Sequence, residues 1–461
     1  MRRRVLALVL LLLISVTGTS YATTATVPGR HTYTGTIDGA GYRVETPERW
    51  NGTLILFSHG YIPEGSPWPQ GIPLANRVET EQWLLDHGYA LAGSEYKGRF
   101  GMVIDQALND QIALLDWFRD NVAQPRHTIS SGFSMGGGIA TRLAERHPER
   151  FDGVLALGSN QDVPATLNRG LDVTFAVRTL LTDDQRLELV KARDPAHSVQ
   201  VLQRGVQQAL TTPEGRAKLA LIGAIGGLPL WATAHQRPPA DPVEAIRQQA
   251  WWTEAAYVAG LGPIGRVDVE RRAGGNPSHN IGVDYARQLD RSGLRDFVEQ
   301  AYRVAGTDLG ADLRQLAHAP RIAPDHAAVA WMYRHGVSAG TTPTPVVTLH
   351  GIAEGIITSD ARWYGEQVRK HGHPDRLRQL YVDRGDHGAF SAADEILALQ
   401  GLSTKVETGR WPDLRTGKLN AQAATFTQQQ QTVFDIYTFT DKVMPPAFTD
   451  KQPPRQLRPS L

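Results

Sequence analysis

The sequence contains no cysteine among its 461 residues. This absence excludes a disulfide framework, a thiolate nucleophile, a cysteine-ligated metal centre and a lipid anchor on an N-terminal cysteine. The chain also has almost no excess of either charge, because 48 Lys and Arg are balanced by 47 Asp and Glu, for a formal net charge of +1. Such a balance offers no electrostatic footprint for nucleic acid or for an anionic membrane surface, so we expect neither as a partner.

Long apolar runs are also scarce, and the run at the N-terminus, Val5 to Val16, covers only 12 residues. A helix that spans a bilayer needs about 18 or more. Three arginines precede this run, and Ser20-Tyr21-Ala22 follows it with small residues at the positions that a signal peptidase reads. We therefore predict a signal peptide over residues 1–22, a secreted or extracytoplasmic location, and no stable membrane insertion after cleavage.

Strand-like and helix-like segments alternate from residue 31 onward. Residues 31–44 alternate as a β-hairpin does, and residues 53–58 form an apolar run typical of a strand that is buried on both faces. Further segments are helix-like at 73–87 and 103–122 and strand-like at 89–93, 128–131 and 154–157. Strands that alternate with helices predict an α/β fold with a mostly parallel sheet and helices on both of its faces.

The alternation stops near residue 160 and returns with strand-like runs at 345–349 and 377–382. The sequence between is mainly helix-like, with amphipathic stretches at 180–193, 245–258 and 283–304. We therefore predict a core at 31–160 and 344–401, an inserted helical cap at 161–343 and a C-terminal extension at 402–461. The extension is rich in Pro, Gln and Thr, and its sequence leaves open whether it wraps over the core or is partly disordered.

The pattern G-x-S-x-G occurs at Gly132-Phe133-Ser134-Met135-Gly136, between a strand-like and a helix-like run. A serine hydroxyl acts as a nucleophile only beside a base and near donors that stabilise an oxyanion. A tight strand-to-helix turn presents it in this way, and glycines are needed where a Cβ atom would clash. The motif alone is weak evidence, so its context has to decide.

The context consists of polar residues at the ends of other predicted strands. His59-Gly60-Tyr61 ends one strand, Glu354 follows a second and His387 follows the last. The carboxyl ends of parallel strands meet at one edge of a sheet, so these residues are expected to converge. Together with the Ser134 motif, these segments resemble the α/β-hydrolase superfamily over about residues 50–160 and 343–400. More closely, they resemble its secreted bacterial esterase and peptidase-like members with a large helical cap.

The resemblance implies a role for each of five residues. Ser134 is the nucleophile, His387 the general base, and the backbone amides of Tyr61 and Met135 form the oxyanion hole. The chain order of serine, acid and histidine is the order of this superfamily. The acid would be Glu354, although the superfamily more often has Asp at this place, and the extra methylene of a glutamate has to be accommodated.

Four aspartates compete with Glu354 for the role of the acid. Asp360, Asp383 and Asp386 lie nearby in the sequence. Asp162 follows the strand-like run at 154–157, where some members of the superfamily place the acid. The sequence favours Glu354 but leaves the four aspartates open as candidates.

We therefore predict a secreted serine hydrolase that cleaves a carboxylic ester through an acyl-enzyme, with a small-molecule ester or a short peptide as substrate. The same triad can cleave an amide, as an aminopeptidase does. An acyltransferase and a catalytically silent binding protein of the same fold are also compatible with the sequence. The sequence has no glycine loop of the kind that cradles phosphate and no cluster at metal-ligand spacing, so we expect no cofactor and no metal.

Overall fold

The computed structural model of the chain describes residues 29–66, 71–341, 343–357 and 359–460. The predicted signal peptide, residues 1–22, lies outside these ranges. Within the part of the chain that is described, no helix is long and apolar enough to cross a membrane.

The described residues contain eleven strands, of which nine form one sheet and two form a second, two-stranded sheet. The strands are β1 Arg30–Ile37, β2 Ala40–Pro47, β3 Thr53–Ser58, β4 Ala90–Ser94, β5 His127–Phe133, β6 Gly153–Leu157, β7 Val346–Ala353, β8 Leu377–Gly385, β9 Thr432–Asp435, β10 Thr440–Val443 and β11 Phe448–Thr449. The order in the sheet is β1-β2-β4-β3-β5-β6-β7-β8-β11. The six strands from β4 to β8 in this order pair in parallel, whereas β1, β2 and β11 pair antiparallel at the edges. The predicted mostly parallel sheet is confirmed.

Helices cover both faces of this sheet. Those of the core are α1 Val78–Asp86, α2 Ile104–Asn121, α3 Met135–Arg146, α13 Asp360–Lys370, α14 Ala392–Thr408 and α15 Thr416–Ala423. All six residues of β3 are buried. Leu54 and Leu56 pack in a cluster with α2 and α3, whereas Ile55 and Phe57 pack in a second cluster with α1 and α14. Burial on both faces explains why this strand is a continuous apolar run.

The chain between β6 and β7 is a helical insertion. Its helices are α4 Val163–Leu181, α5 Pro195–Ala209, α6 Pro213–Ile225, α7 Pro242–Trp252, a π-helix Thr253–Gly260, α8 Pro263–Ala273, α9 Tyr285–Ser292, α10 Arg295–Ala305, α11 Leu309–His318 and α12 His326–Gly336. The two ends of the insertion lie side by side, because the Ser338 amide donates to the Gln161 carbonyl at 2.9 Å. The insertion therefore leaves the sheet and returns to it at one place.

Several predicted segments differ from the structure in extent. The helix expected over 180–193 is absent, because α4 ends at Leu181 and the next helix begins at Pro195. The stretch at 283–304 is two helices, separated at Gly293, whose φ of 73° ends the first of them. Strand β7 continues to Ala353, beyond the expected end at residue 349, because it pairs with β8 along its length. Pairing with a neighbouring strand, which an apolar run alone does not report, sets the end of β7.

The predicted boundary of the C-terminal extension at residue 402 is displaced. Helix α14 runs without interruption from Ala392 to Thr408, so the extension begins after Thr408. Its final strand β11 pairs with β8 at the edge of the sheet. Near the chain end, Arg458 Nη1 donates to the buried Asp172 of α4 at 2.7 Å, and the Ser460 amide donates to Asp162 at 2.9 Å. The extension wraps over the core and contacts the insertion.

Asp435, at the end of β9, joins the extension to the insertion. It is fully buried. Its Oδ2 accepts hydrogen bonds from the Thr233 hydroxyl, from the Ala234 amide at 2.7 Å and from the His235 amide at 3.1 Å. Its Oδ1 accepts from the Thr438 amide at 2.9 Å. One carboxylate thus satisfies four buried or half-buried donors from two distant parts of the chain.

The substitution Asp435→Ala tests whether the extension is an integral part of the fold. It leaves these donors without an acceptor, so we expect a loss of about 3 kcal/mol in the free energy of unfolding, measured by urea denaturation. The matched control Asp441→Ala lies on the neighbouring strand with an exposed side chain, and we expect it to stay within about 0.5 kcal/mol of the parent. Equal stabilities for the two variants would show that the extension is dispensable.

Candidate active site

Ser134 lies on a tight turn between β5 and α3. Its backbone has φ 57° and ψ −121°, a conformation that costs a residue with a side chain on the order of 1–3 kcal/mol. The surrounding chain holds it there, because the Ser134 amide donates to the Leu157 carbonyl at 2.9 Å. The Ser134 carbonyl in turn accepts from the amides of Gly137 at 3.1 Å and Asn160 at 3.0 Å.

The glycines of the motif allow the backbone to pack closely around this turn. A Cβ atom on Gly132 would lie 2.3 Å from the Gly136 carbonyl oxygen. A Cβ atom on Gly136 would lie 2.0 Å from the carbonyl oxygen of Ser58, at the end of β3. No side chain fits at either position, which explains why the motif has glycine at both.

His387 follows β8 and reaches the serine. Its Nε2 lies 3.0 Å from Ser134 Oγ. The residue before it, Asp386, has φ 81°, and its Oδ1 accepts from the His387 amide at 2.7 Å. The Phe133 ring stacks on the imidazole with centroids 5.0 Å apart. Burial lowers the pKa of His387 from its ordinary 6.5, and the charge of Glu354 partly opposes that shift.

Glu354 follows β7 and lies on the other side of the imidazole. Its Oε1 is 3.9 Å from His387 Nδ1, which is longer than a hydrogen bond. Both atoms are buried, and within the described residues neither has a hydrogen-bond partner. An approach of about 1 Å would join them, and contacts of this kind often tighten only when substrate is bound.

The extra methylene of Glu354 is accommodated between two glycines. A Cβ atom on Gly351 would lie 3.0 Å from Glu354 Cγ, and one on Gly158 would lie 3.1 Å from Glu354 Oε1. Behind the residue, a Cβ atom on Gly355 would lie 2.2 Å from the Trp252 ring of the insertion. The two glycines therefore leave room for the longer side chain of a glutamate beside His387.

The four competing aspartates are engaged elsewhere. Asp162 and Asp360 accept hydrogen bonds from the C-terminal extension, at Ser460 and Gln456 respectively. Asp383 pairs with Lys451 of that extension at 2.7 Å. Asp386, the fourth, accepts from backbone amides. Among these five carboxylates, Glu354 is the one that faces Nδ1 of the imidazole.

The segments that carry the predicted oxyanion donors lie beside Ser134. A Cβ atom on Gly60 would be 3.4 Å from Ser134 Cβ, so the turn that carries Tyr61 packs against the serine. The Tyr96 hydroxyl donates to the His59 carbonyl of this turn at 3.3 Å. Met135 begins α3, where a backbone amide has no acceptor within the helix. The roles of Tyr61 and Met135 stay predictions.

Some residues around the site were not singled out from the sequence. His350 contacts Glu354, and Ile436 of the extension donates its amide to Asp386 at 2.5 Å. His350 was present in the segment that contains Glu354, whereas nothing in the sequence connects Ile436 with His387. Within the described ranges, no group of three or more His, Cys, Asp and Glu side chains is arranged to hold a metal ion.

Comparison with known families identifies the class of protein. A family model described as alpha/beta hydrolase fold matches residues 53–238, a range that begins with β3 and includes the Ser134 turn. The sheet order, the turn and this match define the α/β-hydrolase fold. The chain therefore has the α/β-hydrolase fold, and over residues 53–238 its sequence is similar to that family of hydrolases.

Two curated proteins are similar in sequence. The chain is 27% identical over 414 residues to an o-phthalyl amidase from Xanthobacter agilis, and the alignment covers 84% of this chain and 89% of that protein. It is 28% identical over 162 residues to a 2-hydroxymuconate semialdehyde hydrolase from Pseudomonas putida, over 34% of this chain and 54% of that protein.

Solved structures with a similar arrangement include an acylaminoacyl peptidase from Pyrococcus horikoshii, at 10% identity and a TM-score of 0.39, over 85% of this chain and 43% of that chain. Feruloyl esterase B from Aspergillus oryzae is 14% identical with a TM-score of 0.38, over 83% of this chain and 81% of that chain. TM-scores this low support no inference about the activity of the chain.

A fluorophosphonate tests whether Ser134 is activated. We expect one adduct per chain on Ser134, identified by peptide mass mapping, and none on the Ser134→Ala variant. The labelling rate should rise with pH to a plateau, because only a neutral His387 accepts the serine proton. Since the pKa of His387 lies below its ordinary value, the midpoint should fall below pH 6.5. Labelling at another serine, or a midpoint above 6.5, would contradict this assignment.

Proposed function

We propose that this protein is a serine hydrolase that cleaves a carboxylic ester through an acyl-enzyme, with Ser134, His387 and Glu354 as its triad. The observation that carries the proposal is the 3.0 Å contact between His387 Nε2 and Ser134 Oγ, on a serine held in a strained turn. A silent binding protein has no need of this arrangement, because strain and burial of a histidine both cost stability.

Acylation begins when Ser134 Oγ attacks the carbonyl carbon of the substrate and its proton passes to His387 Nε2. The carbonyl oxygen becomes an oxyanion, which the amides of Tyr61 and Met135 stabilise. His387 then gives its proton to the leaving alcohol as the bond to that alcohol breaks, and the acyl group stays on Ser134. Glu354 stabilises the imidazolium that exists between these two proton transfers.

Deacylation repeats these steps with water. Water gives a proton to His387 as its oxygen attacks the acyl carbon, and the proton returns to Ser134 Oγ when the acid product leaves. Neither half of this reaction requires a cofactor. An acyltransferase would differ only in the acceptor, an alcohol or an amine in place of water.

We propose that the helical insertion acts as the cap that shapes the substrate pocket. Two contacts support this role. Trp252 packs on Gly355, directly after Glu354, and a Cβ atom on Gly265 of α8 would lie 3.5 Å from the Tyr61 hydroxyl. The insertion thus reaches both the acid and the oxyanion turn at the carboxyl edge of the sheet, where ligands of open α/β sheets bind. Export through the signal peptide is part of the same proposal and rests on the N-terminal sequence.

An amide is the second candidate for the scissile bond. The observation that favours it is the similarity to an o-phthalyl amidase, which extends over most of both chains. The same triad cleaves amides, because His387 is placed to protonate a leaving amine as it protonates an alcohol.

A matched pair of substrates distinguishes the two bonds. A p-nitrophenyl ester and a p-nitroanilide of the same acyl group, tested beside an o-phthalyl amide, give kcat/KM for each bond. We expect the ester to be cleaved. A kcat/KM for the phthalyl amide above that for the anilide would identify the protein as an amidase instead. Product analysis with added alcohol tests the acyltransferase, since an acyltransferase forms the new ester in preference to the acid. Turnover of none of these by folded protein would contradict the proposal.

Glu354→Gln tests the acid. The substitution keeps the size of the side chain but removes the charge that orients and stabilises His387, so we expect kcat to fall by about 10⁴-fold. Asp383→Asn is the matched control, because its carboxylate pairs with Lys451 on the surface, and its kcat should stay near the parent value. A large loss in the control with none in Glu354→Gln would reverse the assignment.

A further inference from the structure

His350 lies on β7, four residues before Glu354, with its side chain fully buried. Its Nδ1 is 3.0 Å from Glu354 Oε2. The other carboxylate oxygen, Oε1, is the atom that faces His387 Nδ1. Glu354 therefore lies between two imidazoles, with one nitrogen near each of its oxygens.

A chain of buried polar groups leads to the far side of His350. It starts at Thr141 of α3, whose hydroxyl donates to the Gly137 carbonyl at 3.1 Å. Because its proton is used there, Thr141 Oγ1 can only accept from Gln161, 3.0 Å away. This fixes the orientation of the Gln161 side chain, which presents its NH₂ group rather than its carbonyl oxygen.

The same NH₂ group of Gln161 donates to Ser159 Oγ at 2.8 Å. Ser159 then has its own proton free, and the acceptor for it is His350 Nε2 at 3.3 Å. With Nε2 an acceptor, the proton of a neutral imidazole resides on Nδ1, where it is donated to Glu354. Every donor from Gln161 onward thus points toward the carboxylate.

We propose that His350 is a positioning residue of the serine hydrolase: its Nδ1–H, held in that tautomer by Ser159 and Gln161, binds Oε2 of Glu354 and leaves Oε1 free for His387. The inference rests on the proposed function. It explains how a glutamate, with one more rotatable bond than aspartate, is kept in one orientation at this place.

Two substitutions of His350 distinguish the loss of its hydrogen-bond donor at Nδ1 from the loss of the imidazole ring itself. The amide nitrogen of His350→Asn lies near the place of Nδ1, so it preserves the donor to Glu354. The amide nitrogen of His350→Gln lies near the place of Nε2, so it loses that donor. We expect His350→Asn to keep kcat within about tenfold of the parent and His350→Gln to lose about 100-fold, with KM changed little in either.

The pH profile of kcat provides a readout that a merely structural role would not move. The charged or titratable groups near His387 are His350 on β7, Glu354 directly after β7 and Asp386 on its own loop, with Asp435 of the extension behind Asp386. When Glu354 is misplaced, the imidazolium of His387 loses its carboxylate partner and its pKa falls further. The acid limb of the His350→Gln profile should therefore move to lower pH, and that of His350→Asn should not.

Fluorophosphonate labelling and thermal stability distinguish a failure of the proposed function from a failure of the role of His350. If the parent protein is not labelled by a fluorophosphonate at Ser134, the proposed function fails. If it is labelled, and the Asn and Gln variants have equal kcat and equal acid limbs, the role of His350 is overturned while the hydrolase stands. Thermal unfolding verifies that each variant is folded. His127→Leu, at the start of β5 and away from the carboxyl edge, is the control for loss of a histidine and should leave kcat unchanged.

If His350→Gln does not fold, the Ser159→Ala variant tests the role of His350 instead. It removes one hydroxyl and leaves both histidines in place, but it frees His350 to carry its proton on Nε2. We expect a several-fold loss of kcat and an acid limb at lower pH. A Ser159→Ala variant with the parent kcat and the parent profile would overturn the proposal.

Discussion

The strained turn at Ser134 is the constraint on which the rest of the site depends. A residue with a side chain adopts its φ of 57° only when the surroundings determine it, and here β3, β6 and the start of α3 all contact the turn through backbone atoms. Because the sheet is parallel at this point, the ends of β7 and β8 bring Glu354 and His387 to the same edge. The turn and the strand order together place three distant residues within reach of one another.

The loops that carry the acid and the histidine are held by parts of the chain outside the core. Trp252 and Tyr257 of the insertion contact the segment after Glu354, where the Tyr257 hydroxyl donates to the Ile356 carbonyl at 3.2 Å. The extension reaches the histidine loop through the backbone of Ile436. The insertion and the extension therefore stabilise the geometry of the site, besides whatever they contribute to substrate choice.

Local pattern was enough to predict most of the core and the residues that meet at its edge. The alternation of strand-like and helix-like runs indicated the parallel sheet, and the resemblance to α/β-hydrolases, carried by the Ser134 motif and the strand-end residues, indicated Glu354 and His387. The helix expected near residue 190 is absent. The length of β7 was predicted too short and the path of the extension was left open, because both depend on pairing with distant parts of the chain. The role of His350 is of the same kind, since its partners Ser159 and Glu354 lie on different strand ends and are joined only in the folded chain.

The most direct test of the central claim is the intact mass of the enzyme, quenched during turnover of a slowly deacylated ester and followed by peptide mapping. The account predicts a transient mass increase equal to the acyl group, located on Ser134 and absent from Ser134→Ala. Steady turnover with no covalent species, or with the acyl group on another residue, would contradict an acyl-enzyme at Ser134.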